Sequence, residues 1–271
     1  MSQDTTWDTN WDTIKVTVDA RGVATLLLNR PHKHNAMNAE LIAELTIAVD
    51  KLEADKSVRA VILTGAGKSF CAGGDLSWMT AMAGYNREER IKDSAKLAAM
   101  LRKLNALSKP LIGKINGQAY GGGIGMISVC DISIAVDSGK YCLTEVKLGL
   151  PPANIAPFVV AKMGQANARR TMLNARPFSA TKGKELSLID EVVSADELDA
   201  AVEKELGYLL QCGPNAIAES KKLISYVDSH DLSVSQTYTA KLLADAWDSD
   251  EGKEGLACFF SKKNPSWKNT K

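Results

Sequence analysis

Histidine is scarce: His32, His34 and His230 are the only three among 271 residues, too few and too scattered to build a histidine-based metal cluster. His32 and His34 flank Lys33 in a polar turn after Pro31, where solvated rings are expected. The five cysteines, Cys71, Cys130, Cys142, Cys212 and Cys258, are odd in number and widely spaced, with no C-x-x-C pair. This pattern excludes a complete disulfide framework and predicts reduced thiols packed as small buried residues. Net charge is nearly absent as well. A formal +1 from 33 basic and 32 acidic residues gives no basic stripe or field for nucleic acid or an anionic membrane, so any anion must be recognised locally. No apolar run is long enough for a membrane helix, and the opening MSQDTTWDTNWDT lacks the charged-then-apolar order of a secretion signal, which points to the cytoplasm.

Several nucleotide and hydrolase motifs are missing too. Gly67-Lys68-Ser69 ends like a phosphate loop, but the spacing demands a glycine at position 62, where Ile62 stands. Gly121 and Gly123 begin a dinucleotide-like run that Met126 breaks at the final glycine position. No G-x-S-x-G elbow occurs, which argues against the common α/β serine hydrolases.

What is present is core-forming sequence. With 45% hydrophobic and 24% charged residues, the chain can bury one large domain, or one domain with an appendage, and its partners are expected to be a small molecule or another subunit. Val23 to Asn29, Val58 to Thr64 and Leu111 to Ile115 read as buried strands. Asn38 is placed to cap a helix that buries Leu41, Leu45, Val49 and Leu52. A second helix, Arg87 to Leu107, is expected to present Ile91, Ala95, Ala98 and Leu101 before Ser108-Lys109-Pro110 ends it. Ile132 to Val136 and Tyr141 to Leu143 read as a strand pair around the turn Asp137-Ser138-Gly139, and after about Asp196 the pattern turns helical.

Two glycine turns carry the chemistry. In Asn116 to Asp131, NGQAYGGGIGMISVCD, three glycines join a strand to an apolar run read as a helix, although glycine costs about 0.5–1 kcal/mol against alanine in regular structure. A strand that enters a helix through glycines leaves N–H groups unpaired and open to close approach, a place suited to an oxyanion. Cys71-Ala72-Gly73-Gly74-Asp75 also follows a strand and can supply a second donor, so that together the turns could form an oxyanion hole. Spacing alone equally allows two turns shaped only for packing.

Taken in order, Leu28-Asn29-Arg30-Pro31 with His34-Asn35-Ala36-Met37, Phe70 to Leu76, Lys109-Pro110 to Asn116-Gly117, Gly121-Gly122-Gly123 and Cys130-Asp131 resemble the crotonase (enoyl-CoA hydratase/isomerase) superfamily over nearly the whole chain. The resemblance implies an α/β fold, a spiral of ββα units over 1–195 that binds acyl-CoA, with a helical region over 196–271 for trimerisation and CoA contacts. It implies a trimer or dimer of trimers, and no cofactor, since coenzyme A arrives as part of the substrate. The thioester oxygen would sit between the N–H groups of Gly74 and Gly122. Thr144 to Leu150 resembles the segment that carries a family glutamate, which falls on Glu145; burial beside an acyl pocket is expected to raise its pKa. The other glutamate of two-acid hydratases is replaced by Gly125, which would leave room for a branched chain or a water.

EVKLGLPPANIAP, together with GGGIG and CAGGDLSWM, is most similar to the methylglutaconyl-CoA and isohexenylglutaconyl-CoA hydratases, implying hydration of a branched 2-enoyl-CoA in leucine or acyclic terpenoid breakdown. The likeness also implies CoA contacts at Arg30, Ala72, Lys262 and Lys263, and an acyl pocket near Trp78, Met79, Met82 and the Asn154 to Phe158 stretch. Lys147 would meet a distal carboxylate if the strand through Glu145 continued, since alternate residues share a face. Asp131 is expected to hold loop backbone. A Δ3-Δ2 enoyl-CoA isomerase with Glu145 as its one base, and a non-catalytic CoA-binding oligomeric protein, stay open as alternatives.

Overall fold

The computed structural model of the chain describes residues 5–6 and 11–268. β1 (Thr5–Thr6), β2 (Ile14–Val18) and β3 (Val23–Leu28) form an antiparallel meander that leads into α1 (Ala39–Ala54). From there the chain repeats one plan: a strand for a large sheet, a short strand for a small sheet, then helix. β4 (Ala60–Gly65) and β5 (Ser69–Cys71) precede α2 (Leu76–Gly84) and α3 (Arg87–Ala106). β6 (Leu111–Ile115) and β7 (Gln118–Tyr120) precede α4 (Gly122–Ser128). β8 (Ile132–Val136) and β9 (Lys140–Cys142) precede α5 (Ala156–Met172). A last turn supplies β10 (Phe178–Ser179), α6 (Ala180–Glu185) and β11 (Glu191–Val193), and then α7 (Leu198–Leu209), α8 (Pro214–Ser229), α9 (Leu232–Asp248) and α10 (Asp250–Ser261).

The large sheet has the order β1-β2-β3-β4-β6-β8-β11 and is parallel from β3 onward; the small sheet runs β10-β9-β7-β5, parallel across its last three strands. A parallel sheet covered on both faces needs continuous apolar strands rather than alternating ones. β4 meets that need, with every residue from Ala60 to Gly65 buried. The main core lies between the sheets and α1, α3, α4 and α5, where Leu41, Leu45, Met100, Leu104, Ile124 and Val159 meet Leu26, Leu63 and Phe70. This is the crotonase-like α/β architecture that the motifs imply.

Local expectations fare unevenly. Asn38 caps α1 by accepting from Leu41 N at 2.9 Å, and the four leucine and valine positions expected inside are buried. In α3 the buried stripe is Leu97, Met100, Leu101 and Leu104, whereas Ile91 and Ala95 face outward. The expected stripe was displaced because α1 packs against the C-terminal half of α3. Cys71, Cys130 and Cys142 are buried free thiols, but Cys212, in the turn between α7 and α8, is exposed and Cys258, on the outlying α10, is only partly covered. α7 follows the 195/196 boundary yet packs on the large sheet, where Leu198, Val202 and Leu206 cluster with Val23, Ala60 and Ile134. α8, α9 and α10 bury almost nothing; Ser235 is their one buried residue, and Leu232, Trp247, Phe259 and Phe260 are exposed. Among the described residues no helix is long and apolar enough to cross a membrane.

Asn35 holds the loop beneath the small sheet. It is fully buried at φ 55°, a left-handed conformation that asparagine tolerates better than most residues. Its Nδ2 donates to Ala66 O at 2.9 Å and Ser69 O at 2.8 Å, while its Oδ1 accepts from Arg30 N at 2.9 Å. Asn35→Ala strands these backbone groups and is expected to cost about 3 kcal/mol, read as a lower urea midpoint at unchanged m-value. A loss below about 1 kcal/mol would contradict this assignment.

Candidate active site

The small sheet brings three loops to one edge. β9, β7 and β5 are adjacent and parallel, so the segments after Cys142, Tyr120 and Cys71 leave side by side. These segments carry Glu145, Gly121 to Gly123, and Gly73 with Gly74. Backbone contacts lock them together: Gly121 N donates to Cys142 O at 3.0 Å, and a Cβ on Gly73 would stand 3.0 Å from Tyr120 O.

Gly74 sits in an isolated parallel bridge with Met37. Met37 N donates to Gly73 O at 2.7 Å and Asp75 N to Met37 O at 2.8 Å, which turns the intervening Gly74 N–H away from the bridge and leaves it without an acceptor among the described residues. Gly122 is the first residue of α4, and its N–H likewise has no acceptor there. α4 has only seven residues, shorter than the helix-length run expected. The macrodipole is correspondingly small, and the local positive charge comes from the unpaired N–H itself. A side chain at Gly122 would overlap Met37 Cε, so glycine lets Met37 cover this turn in its present conformation.

Glu145 stands just after β9 in a short 3-10 turn, Glu145–Leu148. A Cβ on Gly121, whose φ is 48°, would lie 3.0 Å from Glu145 Oε1, so the carboxylate rests directly against the glycine turn. Its Oε2 is buried without a hydrogen-bond partner among the described residues. Burial raises the Glu145 pKa above the usual glutamate value and outweighs the lowering by the backbone N–H groups of Glu145 and Thr144. A carboxylate so placed can accept or deliver a proton at a neighbouring atom.

One wall is built by α2. Met79 Sδ lies 3.1 Å, and Trp78 Cε3 4.0 Å, from where a Cβ of Gly74 would be. Trp78 Nε1 donates to Asp93 Oδ2 at 2.9 Å, and Asp93, buried in α3, pairs with Lys96 at 3.1 Å. Sequence reasoning missed Met37, Asp75 and Asp93. Met37 and Asp75 lay inside quoted motifs, whereas Asp93 sits in a charge-rich helix with nothing to mark it as buried.

Three expected site residues are placed differently. The space beside Gly125 is filled: a Cβ there would stand 2.5 Å from Ile155 Cγ2 and 3.5 Å from Leu101 Cδ1, so no room remains for a branched chain or a water. Lys147 is exposed, and in a 3-10 turn residues two apart point about 240° apart, so it does not share a face with Glu145. Arg30 is not a free cation, since its guanidinium is bonded to Asp75, at 3.0 Å, and to Ala36 O. Ala72 lies in the glycine turn with its N–H donating to His34 O at 3.0 Å. Lys262 and Lys263 are exposed at the end of α10, and no described contact joins them to the glycine turns. Asp131 does hold loop backbone, its Oδ2 accepting from Leu111 N at 2.7 Å and from Lys221 Nζ at 2.6 Å.

Residues 19–270 match the family model described as "Enoyl-CoA hydratase/isomerase". "Enoyl-CoA hydratase ACTT6" of Alternaria alternata is 34% identical over 256 residues, 91% of this chain and 81% of that protein. A crystal structure of an enoyl-CoA hydratase from Shewanella pealeana superposes with a TM-score of 0.92 at 37% identity, covering 96% of this chain and 97% of that one. Pseudomonas aeruginosa AtuE gives a TM-score of 0.92 at 34% identity, over 95% of this chain and 100% of that chain.

Burial of the Glu145 carboxylate has a thermodynamic consequence. Between the unfolded glutamate pKa of about 4.3 and the raised folded value, the native state binds more protons than the unfolded chain, so stability falls as pH rises through that window. Glu145→Gln is expected to melt higher than the parent at pH 8, with the difference shrinking toward pH 4, by scanning calorimetry. Equal melting at pH 8 would show that the carboxylate carries no burial penalty.

Proposed function

The chain belongs to the enoyl-CoA hydratase/isomerase family, and from that premise we propose that it hydrates a 2-enoyl-CoA thioester, with Glu145 as its acid/base and the N–H groups of Gly74 and Gly122 holding the thioester oxygen. The observation that carries this reading is that two N–H donors and one carboxylate oxygen, all without partners among the described residues, lie at the ends of three adjacent strands. Glu145 takes a proton from water as the oxygen bonds to the β-carbon. The carbon–carbon π electrons move toward the carbonyl, and the enolate oxygen is held by the two donors, each worth a few kcal/mol of barrier. The protonated carboxyl then returns a proton to the α-carbon. Coenzyme A enters as part of the substrate.

The acyl group is assigned to the branched glutaconyl type, 3-methylglutaconyl-CoA or isohexenylglutaconyl-CoA. Support comes from the segment Glu145 to Pro157 and from Gly125 in place of a second glutamate; Lys147, exposed, lends none. We assign the chain to a homo-oligomer, a trimer or a dimer of trimers, supported by the apolar side chains that α8, α9 and α10 leave uncovered, among them Leu232, Trp247, Phe259 and Phe260.

A second reading has its own observation. Ile155 and Leu101 close the space where a second carboxylate would project from position 125, and one base suffices to move a proton between two carbons of a dienolate. That chemistry is Δ3-Δ2 isomerisation.

Mass-resolved turnover on crotonyl-CoA, 3-methylglutaconyl-CoA, isohexenylglutaconyl-CoA and a 3-enoyl-CoA separates the readings. Hydration adds one water to a 2-enoyl substrate, and Glu145→Gln is expected to lower kcat about 10²–10⁴-fold. Bond migration at constant mass would establish the isomerase, and no turnover on any of the four would point to another reaction of the family or to a binding role.

A further inference from the structure

The Gly74 donor is useful only if its N–H keeps one direction, yet it lies in a glycine pair, Gly73-Gly74, with Gly73 at φ 91°. Backbone freedom at such a pair is large. The structure restricts it from one side. Residues 34–37 run alongside the turn, with His34 O accepting from Ala72 N at 3.0 Å, Gly73 O accepting from Met37 N at 2.7 Å and Met37 O accepting from Asp75 N at 2.8 Å.

Arg30 spans both strands of this arrangement. One guanidinium nitrogen donates to Ala36 O on the supporting segment, and another pairs with Asp75 Oδ2 at 3.0 Å, directly after Gly74. The other Asp75 oxygen accepts from Ser77 N at 2.9 Å and caps α2, which carries Trp78 and Met79. Both side chains are shielded, at 12% and 7% exposure, so the pair is screened little by solvent. A planar fork that reaches a carbonyl and a carboxylate at once is a property of arginine that lysine lacks.

We infer that Arg30 and Asp75 form a clamp that fixes the direction of the Gly74 N–H and the seat of α2, making Arg30 a positioning residue for thioester polarisation rather than a contact for the CoA phosphates. The inference rests on the assignment of Gly74 to the thioester oxygen. A guanidinium engaged with Asp75 and a backbone carbonyl has its charge already balanced within the fold. Removing it alone would leave a buried carboxylate without its counter-ion, so the test uses variants that avoid this.

Arg30→Lys keeps the charge without the fork, and the double variant Arg30→Met with Asp75→Asn removes both charges together. For folded Arg30→Lys, or for the double variant where the lysine protein does not fold, kcat on the enoyl-CoA turned over by the parent is expected to fall about 10–100-fold, the scale of a misaligned donor. KM and the dissociation constant of free CoA, which has the phosphates but no thioester oxygen, are expected to change less than about twofold, since no phosphate contact is lost. The carbonyl stretch of bound 1-¹³C-labelled enoyl-CoA is expected to be lowered in the parent and to move back toward its free frequency in the variant. Weakened free-CoA binding at unchanged kcat would overturn the clamp and restore Arg30 as a phosphate contact. A variant with parental kcat and parental carbonyl frequency would overturn it as well. If the parent itself shows no carbonyl shift, the assignment of Gly74 fails, and the clamp fails with it.

Discussion

Polar groups removed from water are normally paired inside a fold, because an orphaned one costs about 1–3 kcal/mol. Among the described residues, the buried Glu145 Oε2 has no partner, and the N–H groups of the half-buried Gly74 and Gly122 at the same sheet edge have none either. The surrounding structure is organised to keep them so. The β5 and β7 segments end in glycines that admit close neighbours without a Cβ. Glu145 is held against Gly121, where any side chain would press on its carboxylate. A bound 2-enoyl thioester with its attacking water would supply what each group lacks: an oxygen for the two donors and an exchangeable proton beside the carboxylate.

Rigidity under this edge comes from outside it. Asn35 and Asn116 fasten the 65–69 loop, with Asn116 Nδ2 donating to Gly65 O at 2.8 Å and Gly67 O at 2.9 Å. Met37 supports both glycine turns, one through its backbone and the other through its side chain. Asp93 fixes the Trp78 ring. Preorganised donors of this kind stabilise developing charge without reorganising during the reaction.

Much of this was legible in the sequence. Strands such as Val23–Leu28 and Leu111–Ile115 announce themselves because a strand in a covered parallel sheet is mostly apolar, with Thr25 and Lys114 the polar residues in these two. The two glycine turns stood out because glycine is costly unless a close approach needs it. What could not be read depends on partners distant in the chain. Arg30 looks like a free cation until Asp75, 45 positions away, is seen beside it. Gly125 looks like open space until Ile155 is found filling it. Lys147 would share the face of Glu145 only in a continuing strand, but β9 ends at Cys142 and the chain tightens into a 3-10 turn. The stripe of α3 differs from the expected one because helical spacing allows more than one apolar face, and packing against α1 selects the face of Leu97, Met100, Leu101 and Leu104.

The central claim is that the leftover donors and the leftover carboxylate face one thioester. A crystal structure of the Glu145→Gln protein with an enoyl-CoA bound tests it most directly. The account predicts the thioester oxygen within hydrogen-bond distance of both Gly74 N and Gly122 N, with the α- or β-carbon facing residue 145. A thioester oxygen bonded elsewhere, or an acyl chain that never approaches the β7 to β9 edge, would contradict it.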